Sequence, residues 1–141
     1  MPVFDTVLLD TPTLTVLHEP SIQLLRVVWR GQYDAELAKA GCEQILDHIC
    51  HTRCSLMLND SSEVYGDWWK ASEWVGQVFV AELGKRGIRA AAWINAMDWP
   101  SRHSVASTLP HVQGVEVRIF DFDEQEAAHA WLLSKVPPAT A

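Results

Sequence analysis

The sequence predicts an α/β protein, a mixed sheet with helices packed on it in the order βββαβαβαβα. Three observations carry this prediction. Residues 55–93 run from an apolar strand through a tryptophan-loaded helix into a second apolar strand. Before them lie three β-rich segments, and after them a further helix, strand and helix. Alternation of this kind builds a sheet covered by helices. The chain has 141 residues, 48% of them hydrophobic, which is a single-domain length with enough apolar material for a core.

The first elements read as an antiparallel meander. Residues 4–9 are apolar and β-branched, and Asp10, Thr11 and Pro12 are turn formers. Residues 13–18 alternate, with Leu14 and Val16 on one face and Thr13, Thr15 and Leu17 on the other. A second turn at Glu19, Pro20 and Ser21 leads to a strand over 23–29, closed by Gly31. Asp34 is a suitable N-cap for a helix reaching about residue 50. Ala38, Cys42, Ile45 and Ile49 mark its buried side at helical spacing. Gly41 within it implies a close approach to the sheet.

Residues 55–60 form a central strand, continuously apolar at Leu56, Met57 and Leu58. Residues 61–66 are expected as a polar turn and 67–83 as one continuous helix, ended by Gly84 and Gly87. Residues 88–93 are again a buried strand. Asp98 and Pro100 open a short helix limited by Pro110, and 115–120 is the last strand. Asp123 and Glu126 are placed for a capping box on the final helix, whose expected buried stripe is Ala127, Ala130 and Trp131. Residues 1–135 are assigned to one domain and 136–141 to a frayed tail.

Net charge is −7, with no basic cluster, so nucleic acid and anionic membranes are poor partners. Three cysteines cannot all pair with one another, and a reduced, cytoplasmic setting is expected. No signal peptide and no membrane-spanning segment is expected. Seven tryptophans are generous for a small core. One or two are expected at an interface or around a pocket.

The residues Val28-Trp-Arg-Gly31, Leu56-Met-Leu-Asn-Asp60, Trp74-Val-Gly76 and Ala90-Ala-Ala-Trp93 stand in a distinctive order with Phe120-Asp-Phe-Asp-Glu and Ala127, Ala128, Trp131 and Leu132. In that order and spacing the chain resembles the SpoIIAA-like branch of the STAS superfamily over nearly its whole length. The resemblance implies a mixed sheet backed by helices with one face partly open, and action by protein–protein contact. In the wider superfamily a serine is phosphorylated by a partner kinase, in an Asp-Ser-Ser-Gly type turn that starts the helix after the central strand. The corresponding place here is Asp67-Trp-Trp-Lys70, where only the aspartate matches. Asp60-Ser-Ser62 looks like the motif but stands about two helical turns too early. Ser61 and Ser62 are read as turn residues satisfying local amides, and the phospho-switch is not carried over.

The long helix is the leading candidate surface. On an α-helical wheel, Trp68, Ala71, Val75, Val78 and Phe79 face the sheet, and Lys70, Glu73 and Gln77 lie opposite. Trp69, Gly76 and Val80 lie on a flank between them, which with Glu73 is the expected interface for a partner or a second copy. The bland alternative is a neighbouring loop that covers the flank. A second candidate is a cavity lined by Trp29, Trp93, Trp99 and Phe120, holding an apolar small molecule or lipid. The same arrangement resembles the core of SEC14-like lipid carriers.

Other clusters read as ordinary structure. His48, Cys50, His51 and Cys54 match no zinc spacing, and no metal is assigned. Asp98, Ser101 and His103 are sequence neighbours on a short helix, which rarely gives a catalytic triad. Asp121, Asp123, Glu124 and Glu126 lack an EF-hand spacing and suit a helix start. The sequence therefore predicts a non-catalytic interaction module without cofactors, which binds a protein partner or itself. An apolar-ligand carrier is the alternative.

Overall fold

The computed structural model describes residues 6–49 and 52–136. The expectations for Phe4, Asp5, Cys50, His51 and the tail beyond Val136 fall outside the described residues. A six-stranded sheet has its strands in sequence order, β1 (Thr6–Asp10), β2 (Leu14–Glu19), β3 (Leu24–Gln32), β4 (Leu56–Tyr65), β5 (Ala90–Ile94) and β6 (Glu116–Phe120). β1 to β3 pair antiparallel, and β3 to β6 pair parallel. Each parallel step is made by a helix. These are α1 (Ala35–His48), a helical run over residues 69–85 here called α2, and α3 (Trp99–Thr108). α4 (Gln125–Leu133) follows β6.

Residue parity along the strands divides the core in two. Leu25, Val27, Trp29, Met57, Ala91 and Trp93 point to one face, under α1, α2 and α3. Leu24, Leu56, Leu58, Ala92 and Ile94 point to the other, under Ala128 and Leu132 of α4. On that second face Leu17 and Val28, towards the meander, are only half-buried. Val136 packs against the second cluster.

Several elements differ from expectation for physical reasons. Residues 61–65 are strand, not turn. β3 runs on to Gln32 after a bulge, and Gly31 and Gln32 pair with Val64 and Tyr65. Pairing with a long neighbour overrides local turn propensity. The capping box does not form. Glu124 instead accepts from the Asp121 amide at 2.7 Å, and the final helix begins at Gln125. Its buried residues are therefore Ala128 and Leu132, while Ala127 and Ala130 are exposed.

The largest difference lies in α2. It comprises a 3-10 turn (Trp69–Ala71), an α-turn (Ser72–Trp74), a π-turn (Val75–Phe79) and an α-helical end (Val80–Lys85). The Val80 amide reaches back to the Val75 carbonyl, which adds one residue to that turn. The phase shifts, Val80 turns inward to 4% exposure, and Val78 turns outward to 43%.

Candidate functional site

Two features meet at the carboxyl ends of the parallel strands, where open α/β sheets present binding residues. One is a rim of exposed aromatic side chains. The other is a partly open aromatic cavity beneath it.

The rim is organised around Gly66, which follows β4 with φ +103°. Its amide donates to Asp98 Oδ2 at 3.0 Å, and its carbonyl accepts from Ser101 Oγ at 2.8 Å. Asp98 also caps α3 by accepting from the Ser101 amide at 3.3 Å. One carboxylate thus ties the β4–α2 loop to the start of α3. Nearby, Ser104 Oγ accepts from the Trp68 amide at 3.1 Å, and Ser72 Oγ donates to the Ser104 carbonyl at 2.9 Å. Asp67 Oδ1 accepts from the Trp69 amide at 3.1 Å, just ahead of α2. Trp69 opens α2 and Trp99 opens α3 beside these ties, at 49% and 75% exposure. Tyr65, the last residue of β4, is 52% exposed and lies on the strand face opposite Val64.

Beneath the rim, Trp68 and Trp93 stack with centroids 6.3 Å apart and planes 6° from parallel. Trp29 meets Tyr33 edge-on at 5.4 Å. These rings and Phe79 line a cavity of about 40 Å³ with Cys42 in its wall. Its polar groups are paired, since Trp29 Nε1 donates to Asn59 Oδ1 at 2.7 Å and Trp93 Nε1 donates to Ser61 Oγ at 3.0 Å. Burial pushes the Cys42 thiol far up from its ordinary value. Burial also raises the Tyr33 phenol, against its bond to the Thr13 carbonyl at 2.7 Å.

The residues expected to form one flank are separated. Trp69 and Glu73 are exposed, but Val80 is in the core. Gly76 is buried against the α3–β6 loop, where an added Cβ would lie 2.7 Å from His111 Cβ. The π-turn accounts for Val80, and the covering loop accounts for Gly76. Of the four residues expected around a pocket, Trp29 and Trp93 line the cavity. Trp99 is instead on the rim, and Phe120 packs on the opposite face of the sheet.

Remaining clusters sit in ordinary structural roles. Ser61 is a buried strand residue rather than a turn residue, and the Ser62 amide donates to Asp60 Oδ1 at 2.9 Å. Ser101 is buried on Gly66 and Asp98, while His103 is exposed and does not join them. His48 Nδ1 lies 2.7 Å from the Gln44 carbonyl, and Cys54 Sγ donates to Thr52. In the acidic run, Arg102 holds Asp121 at 2.6 Å and draws its carboxyl below the usual range.

Sequence reasoning missed Asn59, Ser61 and Asp98 as organising groups. A signal existed at Asn59, because a polar residue that continues an apolar strand needs a buried partner. No such local signal marks the bond from Asp98 to Gly66, which spans two loops.

Among the described residues no helix is long and apolar enough to cross a membrane. No curated protein and no solved structure matches the chain. The family model described as SpoIIAA-like matches residues 24–133, from the start of β3 to the end of α4. With most of its length covered and a mixed six-stranded sheet of the expected kind, the chain belongs to the SpoIIAA-like family.

Proposed function

We propose that this protein is a non-catalytic regulatory module of the STAS type that binds a protein partner through the rim at Trp69 and Trp99. The observation that carries this reading is Trp69, half-exposed at the first turn of α2 with its backbone amide held by Asp67. Large aromatic side chains at the tied starts of helices make good binding anchors, since little entropy is lost when they are covered. In the wider superfamily the helix start after the central strand carries the switch serine. Here an indole occupies that place, so the contact operates without phosphorylation. The free thiols of Cys42 and Cys54 support a reduced, cytoplasmic setting.

Self-association is the weaker form of this reading. A two-fold contact through the rim would bring Asp34, Glu36 and Asp67 close to their own copies. Light scattering on the eluted protein distinguishes the two forms. A monomer at high micromolar concentration supports a different partner.

The alternative, a carrier of apolar small molecules, draws on the aromatic cavity. At about 40 Å³ it holds one or two waters and no acyl chain. The test of the main reading is affinity capture from the source cells, followed by binding of the purified partner to single variants. Trp69→Ala and Trp99→Ala should each weaken the contact about ten-fold with the fold intact. Unchanged affinity in both variants would remove the rim from the reading.

A further inference from the structure

We propose that the rim takes a cationic segment of its protein partner, one that carries lysine or arginine beside an apolar side chain. This rests on the reading of the rim as the docking face and adds the chemistry of what docks there. A shallow groove at the Trp69 indole is lined by Asp34, Ala35, Glu36, Asp67 and Lys70. Three carboxylates therefore stand there against one ammonium.

Two of those carboxylates are held in place. Asp34 Oδ1 accepts from the Leu37 amide at 2.8 Å, and Asp67 Oδ1 accepts from the Trp69 amide at 3.1 Å. Each keeps a second oxygen. Among the described residues none of the three is ion-paired. An indole face beside unpaired carboxylates suits a guanidinium or ammonium group, through its ring quadrupole and through charge. Exposed Trp99, at the start of α3, offers apolar surface for a neighbouring side chain. The net charge of −7 attracts a cationic partner at long range and repels a second copy.

The test is an amide and indole NMR titration with a short amphipathic peptide of leucine and lysine. A control peptide carries glutamate in place of every lysine. The expected result is saturable shifts concentrated at Gly66, Trp69 and Trp99 with the lysine peptide only, weakened by salt. Glu36→Gln should reduce affinity about three-fold. Glu43→Gln, further along α1 and exposed, should leave it unchanged. Shifts spread over the whole surface, or equal losses from E36Q and E43Q, would mean bulk charge attraction and overturn the proposal. Equal binding of the glutamate peptide at the rim would overturn the cationic choice but leave the docking face standing. No rim shift with the lysine peptide would also overturn it.

Discussion

Gly41 of α1 lies directly against the Trp29 ring of β3, and a Cβ added there would stand 2.3 Å from Trp29 Cζ3. The contact brings α1 close enough to the sheet to close one wall of the aromatic cavity. Overpacking of this kind costs about 1–3 kcal/mol, and the better helix propensity of alanine returns about 1 of it. Gly41→Ala should therefore lower the urea midpoint and red-shift Trp29 emission as the ring is displaced. An unchanged or raised midpoint would show that α1 moves away freely.

Asp98 accepts from the Gly66 amide and caps α3, beside Ser101, whose Oγ donates to the Gly66 carbonyl. Asp98→Ala should cost about 1–3 kcal/mol, from the lost cap and an orphaned amide. Asparagine caps helices nearly as well, so Asp98→Asn should recover most of it. Thermal unfolding measures both. Amide exchange at Gly66 should quicken in the alanine variant alone, and equal exchange in all three proteins would deny the tie between the loops.

The legible parts of this fold were those with local chemistry. Asp34 caps α1 as its sequence implies, and Ala38, Cys42, Ile45 and Ile49 form the expected buried stripe. The phase of α2 was not legible, because one extra residue in a π-turn is set by packing on the sheet and on the loop at His111, not by the helix's own residues. That shift broke the expected flank of Trp69, Gly76 and Val80. Trp69 nonetheless stayed exposed because it precedes the π-turn. The partners of Trp29 and Trp93 depend on strand register, which the run Leu56-Met-Leu-Asn-Asp60 does not encode alone.

Cys42 gives a pH signature. Its thiol is buried in apolar surroundings, so its folded value is raised above the unfolded one. The unfolded chain releases this proton above about pH 8.5, while the folded chain retains it. Stability from this group is fully present below that pH and falls as pH rises beyond it. Cys42→Ala or Cys42→Val should flatten the alkaline decline in the urea midpoint. Peptide mapping after iodoacetamide at pH 8 should find Cys42 unmodified in the folded protein and modified in urea. Rapid labelling of the folded protein would show that the cavity opens readily.

Ser61 and Asn59 test whether the cavity is held by polar pairing or by ring packing alone. Both sit on β4 facing the rings, and each accepts from one indole N–H. Removing an acceptor leaves a buried donor unpaired, at about 1–3 kcal/mol. Ser61→Ala should show this loss and move the Trp93 indole proton upfield. Asn59→Ala should do so for Trp29, with a larger loss because it also deletes buried volume. The ring geometry separates the sites further, since Trp93 stacks on Trp68 and Trp29 does not. The near-ultraviolet circular dichroism of the stacked pair should therefore change in Ser61→Ala and less in Asn59→Ala. If neither variant is destabilised, water has replaced the lost acceptors, and the cavity admits solvent from the rim above it.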